Sequence, residues 1–363
     1  MAERTALYDQ HVALGGRMVD FHGWELPVQF EGILAEHRHC RAAACLFDTS
    51  HMGQLRIRAA AEELSHVTTQ NAATLRIGRG RYGFLLDEAG GILDDTILMR
   101  LGEEEFLLVV NAGTAEADFE WVREHLPSGE VVLQSAEGWS KLDLQGPRSA
   151  RVLAAHTDAD LSTLGYFHNA QTAVCGQACL LSRTGYTGEL GYEFYAPDGA
   201  IVAIFRELVA DGRVKPAGLG ARDSLRLEMG YPLYGADIDA ETNPVEASLK
   251  LFVPGDHDFI GAGALRRLAD EPPSRRHAAF VADRRQQAKA GGEIRSKGRA
   301  VGVVTSAAYS PSLDVSIGMG YVPPELAETG TPLAAETRRR DLSITVADKP
   351  LYKQGTCRKR ALL

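Results

Sequence analysis

Between residues 31 and 44 the positions Ile33, Leu34, His37, Cys40, Arg41 and Ala44 recur at a spacing of three to four, which predicts an amphipathic helix with His37 and Cys40 as packing residues. From about residue 50 to 135 the period shortens and lengthens in turn. Gln54 to Arg58, Ile92 to Met99 and Phe106 to Val110 read as strands, whereas Thr114 to Leu126 reads as a helix capped by Thr114, with Phe119, Val122 and Leu126 on one face. This is the pattern of an α+β unit rather than of a parallel nucleotide-binding sheet. A second mixed region carries apolar helices near Ala200 to Val209 and Leu219 to Glu228, punctuated by Gly212, Pro216 and Gly218. After about residue 275 short strands follow one another at Ala278 to Ala282, Glu293 to Arg295, Arg299 to Thr305, Ile317 to Tyr321 and Leu342 to Val346. Turn residues separate them, which predicts a small all-β barrel or jelly roll.

A chain of 363 residues exceeds one ordinary hydrophobic core, so two or three domains are expected. No apolar run is long enough to span a bilayer. The first thirty residues carry Asp9, His11, Arg17, Asp20 and Glu25, which interrupt any signal-peptide core and are too acidic for a transit peptide. The expected location is cytoplasmic, with no membrane partner. A net charge of −9 argues against broad nucleic-acid binding. The five cysteines show no C-x-x-C spacing and suggest neither a disulfide framework nor a zinc ribbon. His37, His39, Cys40, Cys45 and His51 crowd together, but helical periodicity explains most of the cluster, and no metal is expected.

Phosphate loops, dinucleotide fingerprints, zinc-protease motifs and the G-x-S-x-G elbow are absent. Three segments stand out instead. In Gly90-Gly91-Ile92-Leu93-Asp94-Asp95-Thr96-Ile97-Leu98-Met99 two acids interrupt an apolar strand. Alternation sends them to opposite faces, so they cannot form a shared-proton dyad with each other and one must act alone. Asp95 shares the more apolar face, with Leu93, Ile97 and Met99, and is the better candidate for a buried carboxylate. A strand-end Asp bonded to a neighbouring turn is the competing reading. The run Ser182 to Glu193 is a glycine-rich bend in which Tyr186 offers a stacking face and Glu193 an acceptor pair, or else a bulged hairpin. In Gly218 to Glu228, Arg222 and Arg226 lie one helical turn apart and either clamp a carboxylate or aromatic amide or pair with Asp223 and Glu228 at the surface.

Taken in order, these segments resemble the T-protein family of the glycine cleavage system. The resemblance is carried by Val19-Asp20-Phe21-His22-Gly23-Trp24-Glu25-Leu26-Pro27-Val28-Gln29, Leu46-Phe47-Asp48-Thr49-Ser50-His51-Met52-Gly53-Gln54, the Gly-Gly-Ile-Leu-Asp-Asp strand, Val109-Val110-Asn111-Ala112 and Leu144-Gln145-Gly146-Pro147. It continues through Gly185 to Glu189, Ala221 to Glu228, Tyr234 to Ile238, Val301 to Thr305, Ser310 to Leu313 and Gly318 to Val322. It implies three domains around a central folate channel: 1–48 with 138–245 binding folate, 49–137 carrying the catalytic acid, and 275–363 as the barrel. By the same resemblance Asp95 is the catalytic carboxylate beside the pterin. Met52, Tyr82, Val109, Asn111 and Tyr186 line the pocket, and Glu193, Arg222 and Tyr352 contact substrate. The implied reaction moves a one-carbon unit from aminomethyl-dihydrolipoyl H-protein to tetrahydrofolate with release of ammonia. Cys45, Thr96, Ala307-Ala308 and Lys289 depart from the family's usual residues. The alternatives are a folate-dependent demethylase of a small sulfonium or methylamine substrate, and a non-catalytic folate-binding scaffold. The chain has no Lys-Gly-Cys-Tyr type motif of such scaffolds and no dinucleotide domain of the flavin-linked oxidases.

Overall fold

The alternating runs of the first region fold as strands and pair in the order Arg79–Leu86, Ile92–Arg100, Glu105–Val110, Gly53–Arg58, Glu130–Leu133, an antiparallel sheet of five. The computed structural model describes residues 2–270, 272–338 and 340–360. One face of the sheet is covered by the helix Ala115–His125, whose Val122 meets Leu55, Ile57, Phe106 and Leu108 in a closed apolar cluster together with Leu126 just beyond its end. Thr114 does stand at the helix start, but its hydroxyl donates to the Asn111 carbonyl at 3.2 Å and caps no helical N–H.

A second sheet of six runs Asn169–Val174, Gln177–Ser182, Gly191–Pro197, Trp139–Gln145, Cys45–Asp48, Lys215–Pro216. Strand alternation divides Cys45–Asp48 between two cores. Leu46 points into the cluster beneath the helix Asp198–Ala210, whereas Cys45 and Phe47 face Cys40, Ala221 and Leu225 of the helices Ile33–Ala42 and Leu219–Met229. Ile201, Ile204, Phe205 and Leu208 form the buried stripe of the first of these helices, each contributing roughly 1.5–3 kcal/mol by leaving water. The helix Leu219–Met229 ends on Gly230 in the left-handed conformation, φ 69°, a C-terminal stop that costs a glycine little.

Cys40 is an apolar packing residue as expected, but His37 is not. Its Nδ1 lies 2.8 Å from Ser224 Oγ, and its Nε2 lies 3.0 Å from Ser312 Oγ and 3.1 Å from Glu228 Oε1. Helical spacing reveals that a position faces inward, not whether what it meets is apolar.

Residues 276–347 close into a barrel, in the order Arg276–Ala282, Val315–Val322, Arg299–Ser310, Glu293–Ser296, Pro332–Ala335, Leu342–Ala347. The third strand runs past Thr305 through a register shift between Val304 and Ser306. Neither Pro332–Ala335 nor the small sheet of Glu3–Arg4, Trp24–Gln29 and Arg17–Phe21 stands out in the sequence. Both are short or interrupted by proline, and only their pairing defines them.

Candidate active site

Asp94 and Asp95 leave the strand on opposite faces, yet one residue joins them. The hydrogen-bonded register between Ile92–Arg100 and Glu105–Val110 begins at Ile97 opposite Val109, so the strand edge beside the two acids is open on that side. Asn111 fills the gap. Its backbone N–H donates to Asp94 Oδ2 at 2.8 Å, and its side-chain Nδ2 donates to Asp94 Oδ1 at 2.7 Å and to Asp95 Oδ1 at 2.9 Å. From the neighbouring strand the Tyr82 hydroxyl donates to Asp95 Oδ2 at 3.0 Å.

The burial of the two faces is the reverse of the sequence expectation. Asp94 is fully buried with Ile92, Thr96 and Leu98, whereas on the other face Asp95, Leu93 and Ile97 are half-buried and only Met99 is fully covered. A polar layer covers the Asp94 face: Gln70 Nε2 donates to Thr96 Oγ1 at 2.8 Å, and Asp118 of the helix Ala115–His125 faces the Asp94 carboxyl. The unusual Thr96 therefore lies on the covered face, away from that of Asp95. Burial raises Asp95 to about 7, with the Asp94 charge adding to it, while Tyr82 and Asn111 pull the other way. Asp94 lies well above the carboxylate range through burial and then Asp118. Burial likewise lifts Asp118 to about 7. Asp94 instead meets a helical carboxyl 24 positions away, a partner that strand alternation cannot reveal.

A second polar chain runs through the six-stranded sheet. Arg222 donates to Asp143 Oδ2 at 2.7 Å, and its guanidinium lies 5.0 Å from the Tyr186 ring centre. Lys141 bonds Asp143 and reaches Glu193 Oε1 at 3.1 Å, while Glu193 Oε2 accepts from Thr184 at 2.6 Å and Tyr195 at 2.7 Å. Burial opposes the Asp143 charge, but Lys141 and Arg222 outweigh it and hold the carboxyl below its ordinary range. Lys141, Asp143 and Gln145 alternate with Leu142 and Leu144, which reads as a half-solvated strand; the structure buries all five. That is why Lys141 and Asp143 escape sequence reasoning.

Arg222 and Arg226 share a helix but not a target. Arg226 is buried, donating to Asp237 Oδ2 at 2.6 Å and Ser306 Oγ at 2.8 Å as well as to Asp223 Oδ1 at 2.8 Å, so it makes one of the expected acid pairs, but the two arginines form no joint clamp. Tyr186 lies nearly parallel to Tyr231, ring centres 5.9 Å apart, and its hydroxyl donates to the Pro232 carbonyl. Met52 and Val109 pack with Ile97, Met99, Leu180 and Tyr195. Tyr352 sits elsewhere, its ring 4.2 Å from the Arg41 guanidinium and its N–H bonded to the Glu228 carbonyl at 2.9 Å. A narrow cleft lined by Leu26, Pro27, Phe47, Asp48, Gly218 and Leu219 borders Arg222. Among the described residues no group of three or more His, Cys, Asp and Glu side chains is placed to hold a metal ion, and no helix is long and apolar enough to cross a membrane.

Tyr82, Asn111 and Asp95 thus converge, Tyr186 and Arg222 stand together, and Met52 with Val109 forms an apolar patch. Comparison with known proteins gives this arrangement a context. The family model described as the GCVT N-terminal domain matches residues 7–257, and that of the glycine cleavage T-protein C-terminal barrel domain matches 275–353. An aminomethyltransferase of Halothermothrix orenii is 39% identical over 354 residues, 96% of this chain and 99% of its own. One of Rubrobacter xylanophilus is 40% identical over 356 residues, covering 97% and 94%. The crystal structure of the glycine cleavage system aminomethyltransferase T of Bartonella henselae superposes with a TM-score of 0.92 at 37% identity, covering 98% of this chain and 99% of that one. Matched from end to end in both sequence and fold, the chain belongs to the glycine cleavage T-protein family.

Proposed function

We propose that this chain is a tetrahydrofolate-dependent aminomethyltransferase that works at Asp95, taking a one-carbon unit from an aminomethyl group on the dihydrolipoyl arm of a lipoylated H-protein. The products are 5,10-methylenetetrahydrofolate, ammonia and the dihydrolipoyl protein. A single observation carries the reading: a half-buried carboxyl whose two oxygens are fixed by different neighbours, Tyr82 and Asn111. The residues present suit a reduced folate. Tyr82 and Tyr186 offer aromatic faces, Asp95 an acceptor for a ring N–H, and Arg222 a cation for a carboxylate. Tetrahydrofolate, when bound, supplies the nitrogen nucleophiles that take up the carbon.

What the chain itself does is fix and tune a charge. Tyr82 and Asn111 hold the Asp95 oxygens so that no reorganisation is needed when positive charge develops beside them, and a site with little water makes that charge more effective. Holding the tethered arm and folate together supplies further acceleration through proximity. A carboxyl poised near neutrality also takes or returns a proton at Oδ1 or Oδ2 at modest cost. Met52, Val109, Glu193 and Tyr352 are proposed to contribute to the pocket wall and substrate contacts. For Glu193 the role fits best as holding Lys141 in place, and for Tyr352 as capping Arg41.

The division into 1–48 with 138–245, 49–137 and 275–363 is supported by three separate apolar clusters centred on those ranges. A cytoplasmic location is in keeping with bacterial relatives. The test is Asp95→Asn. It should retain binding of reduced folate and lose aminomethyl transfer from the lipoyl donor by roughly 10²–10⁴-fold, and unchanged turnover would reject the assignment. Transfer from free sulfonium or methylamine compounds without a lipoyl protein would point to the demethylase instead.

A further inference from the structure

Asp118 is 2% exposed and its Oδ2 has no hydrogen-bond partner, an unusual state for a carboxylate. Its carboxyl lies against that of Asp94, which is 0% exposed and already accepts two N–H groups from Asn111. Two buried carboxyls in contact cannot both be ionised, so the pair holds one proton and titrates as a unit. Asn111 turns one hydrogen of its Nδ2 toward Asp94 and the other toward Asp95, so it reports the charge of the first acid to the second.

The other groups around the three acids are hydroxyls. Tyr82 comes from the adjacent strand, Thr114 from the start of the helix, Tyr186 from the glycine-rich bend, and Tyr234, whose hydroxyl donates to the Ile92 carbonyl at 3.1 Å, from the segment beyond Gly230. Asp239 is a further acid facing Tyr234. The cations on this side, Arg222 and Arg226, face Tyr186 and are bonded to Asp143 and Asp237, so at the Asp94 and Asp118 carboxyls themselves a shared proton is what limits negative charge.

We propose that Asp118 is a positioning residue for the transfer reaction: by sharing a proton with Asp94 it keeps that carboxyl from becoming a full anion and leaves the ionisable charge of the site to Asp95. The role rests on the function proposed above, but the electrostatic part can be read without turnover. In Asp118→Asn the amide donates to Asp94, Asp94 ionises fully, and the localised charge makes Asp95 harder to ionise. In Asp94→Asn the neighbouring charge is removed and Asp95 ionises more readily. A residue that merely packs the helix would not move Asp95 in opposite directions through two contacting partners.

The experiment is the carboxyl-carbon titration of Asp95 by NMR of the full chain labelled with ¹³C-aspartate, its signal identified by its loss in Asp95→Asn. The pH profile of kcat with the lipoyl donor and tetrahydrofolate is measured alongside. The expected result is a midpoint about one pH unit higher in Asp118→Asn and about one lower in Asp94→Asn, with the acidic limb of kcat moving the same way. An unmoved midpoint, or two shifts of the same sign, overturns the proposal. Should Asp118→Asn not fold, the downward shift in Asp94→Asn and its absence in Asp118→Ser, where Asp94 is left without its partner carboxyl, decide the matter. Opposite midpoint shifts in a protein whose wild type shows no transfer would uphold the proton sharing and reject the reaction.

Discussion

The acid at position 95 is held at a thermodynamic cost to the fold. Its carboxyl is raised from 3.8 in an unfolded chain to about 7, burial being the larger cause and Asp94 the next. The folded state therefore binds the extra proton between those values, and the contribution present at low pH is lost as pH rises through the window. Asp95→Asn is isosteric, accepts from Asn111 and donates to Tyr82, and carries no charge to be desolvated. It should match the wild type in stability near pH 4 and exceed it by on the order of 2 kcal/mol above pH 7, a figure reduced for half-exposure. Urea denaturation at pH 4, 6 and 8 checks this, and a gain that does not grow with pH would contradict it. The same variant is expected to lose transfer, so stability and activity separate at one residue.

At the level of elements, the helix Leu219–Met229 places Arg222, and its start is fixed by a close approach. A Cβ at Gly218 would come within 2.4 Å of the Val28 carbonyl carbon and 2.6 Å of the Gln29 nitrogen, backbone atoms that cannot turn aside. The Gly218 N–H is meanwhile bonded to Glu36 Oε2 at 2.9 Å, which locks the helix start to the helix Ile33–Ala42. Gly218→Ala should force strand and helix apart and cost about 1–3 kcal/mol. With Arg222 only one turn further along, the Michaelis constant for folate should rise more than kcat falls. Denaturation and steady-state kinetics together test this; a stable variant with an unchanged Michaelis constant would show that the contact is dispensable.

Across the whole molecule, Glu228 ties three segments together. It accepts from Arg41 at 2.8 Å and from Ser312 at 3.0 Å, bonds Ser310, and lies 3.1 Å from His37 Nε2, joining two helices to the barrel's Ser310–Ser312 turn. Burial works against its charge, but His37, Arg41 and Ser310 outweigh it and bring the carboxyl down to about 2 from 4.5. A depressed carboxylate contributes stability above its unfolded value and loses it as pH falls toward the folded one. Glu228→Gln should be less stable than wild type by about 3 kcal/mol at pH 7, with the gap closing between pH 4.5 and 2. Acid-unfolding curves that stay parallel through that window would refute the assignment.

The amino-acid order by itself determined the periodic elements, the change to an all-β C-terminal region, and the acids placed against the apolar grain of residues 92–99, because these follow from backbone geometry and from which residues leave water. It also carried the family motifs, and with them Asp95. Which face of that strand is more deeply covered was decided only by packing, since a polar layer from Gln70 and Asp118 can bury a strand face as fully as an apolar one. The divergence of Arg222 and Arg226, the burial of Lys141 and Asp143 and the meeting of Asp94 with Asp118 were likewise left to the tertiary structure. Each depends on a partner far along the chain, and local spacing specifies the direction of a side chain but not the group that comes to meet it.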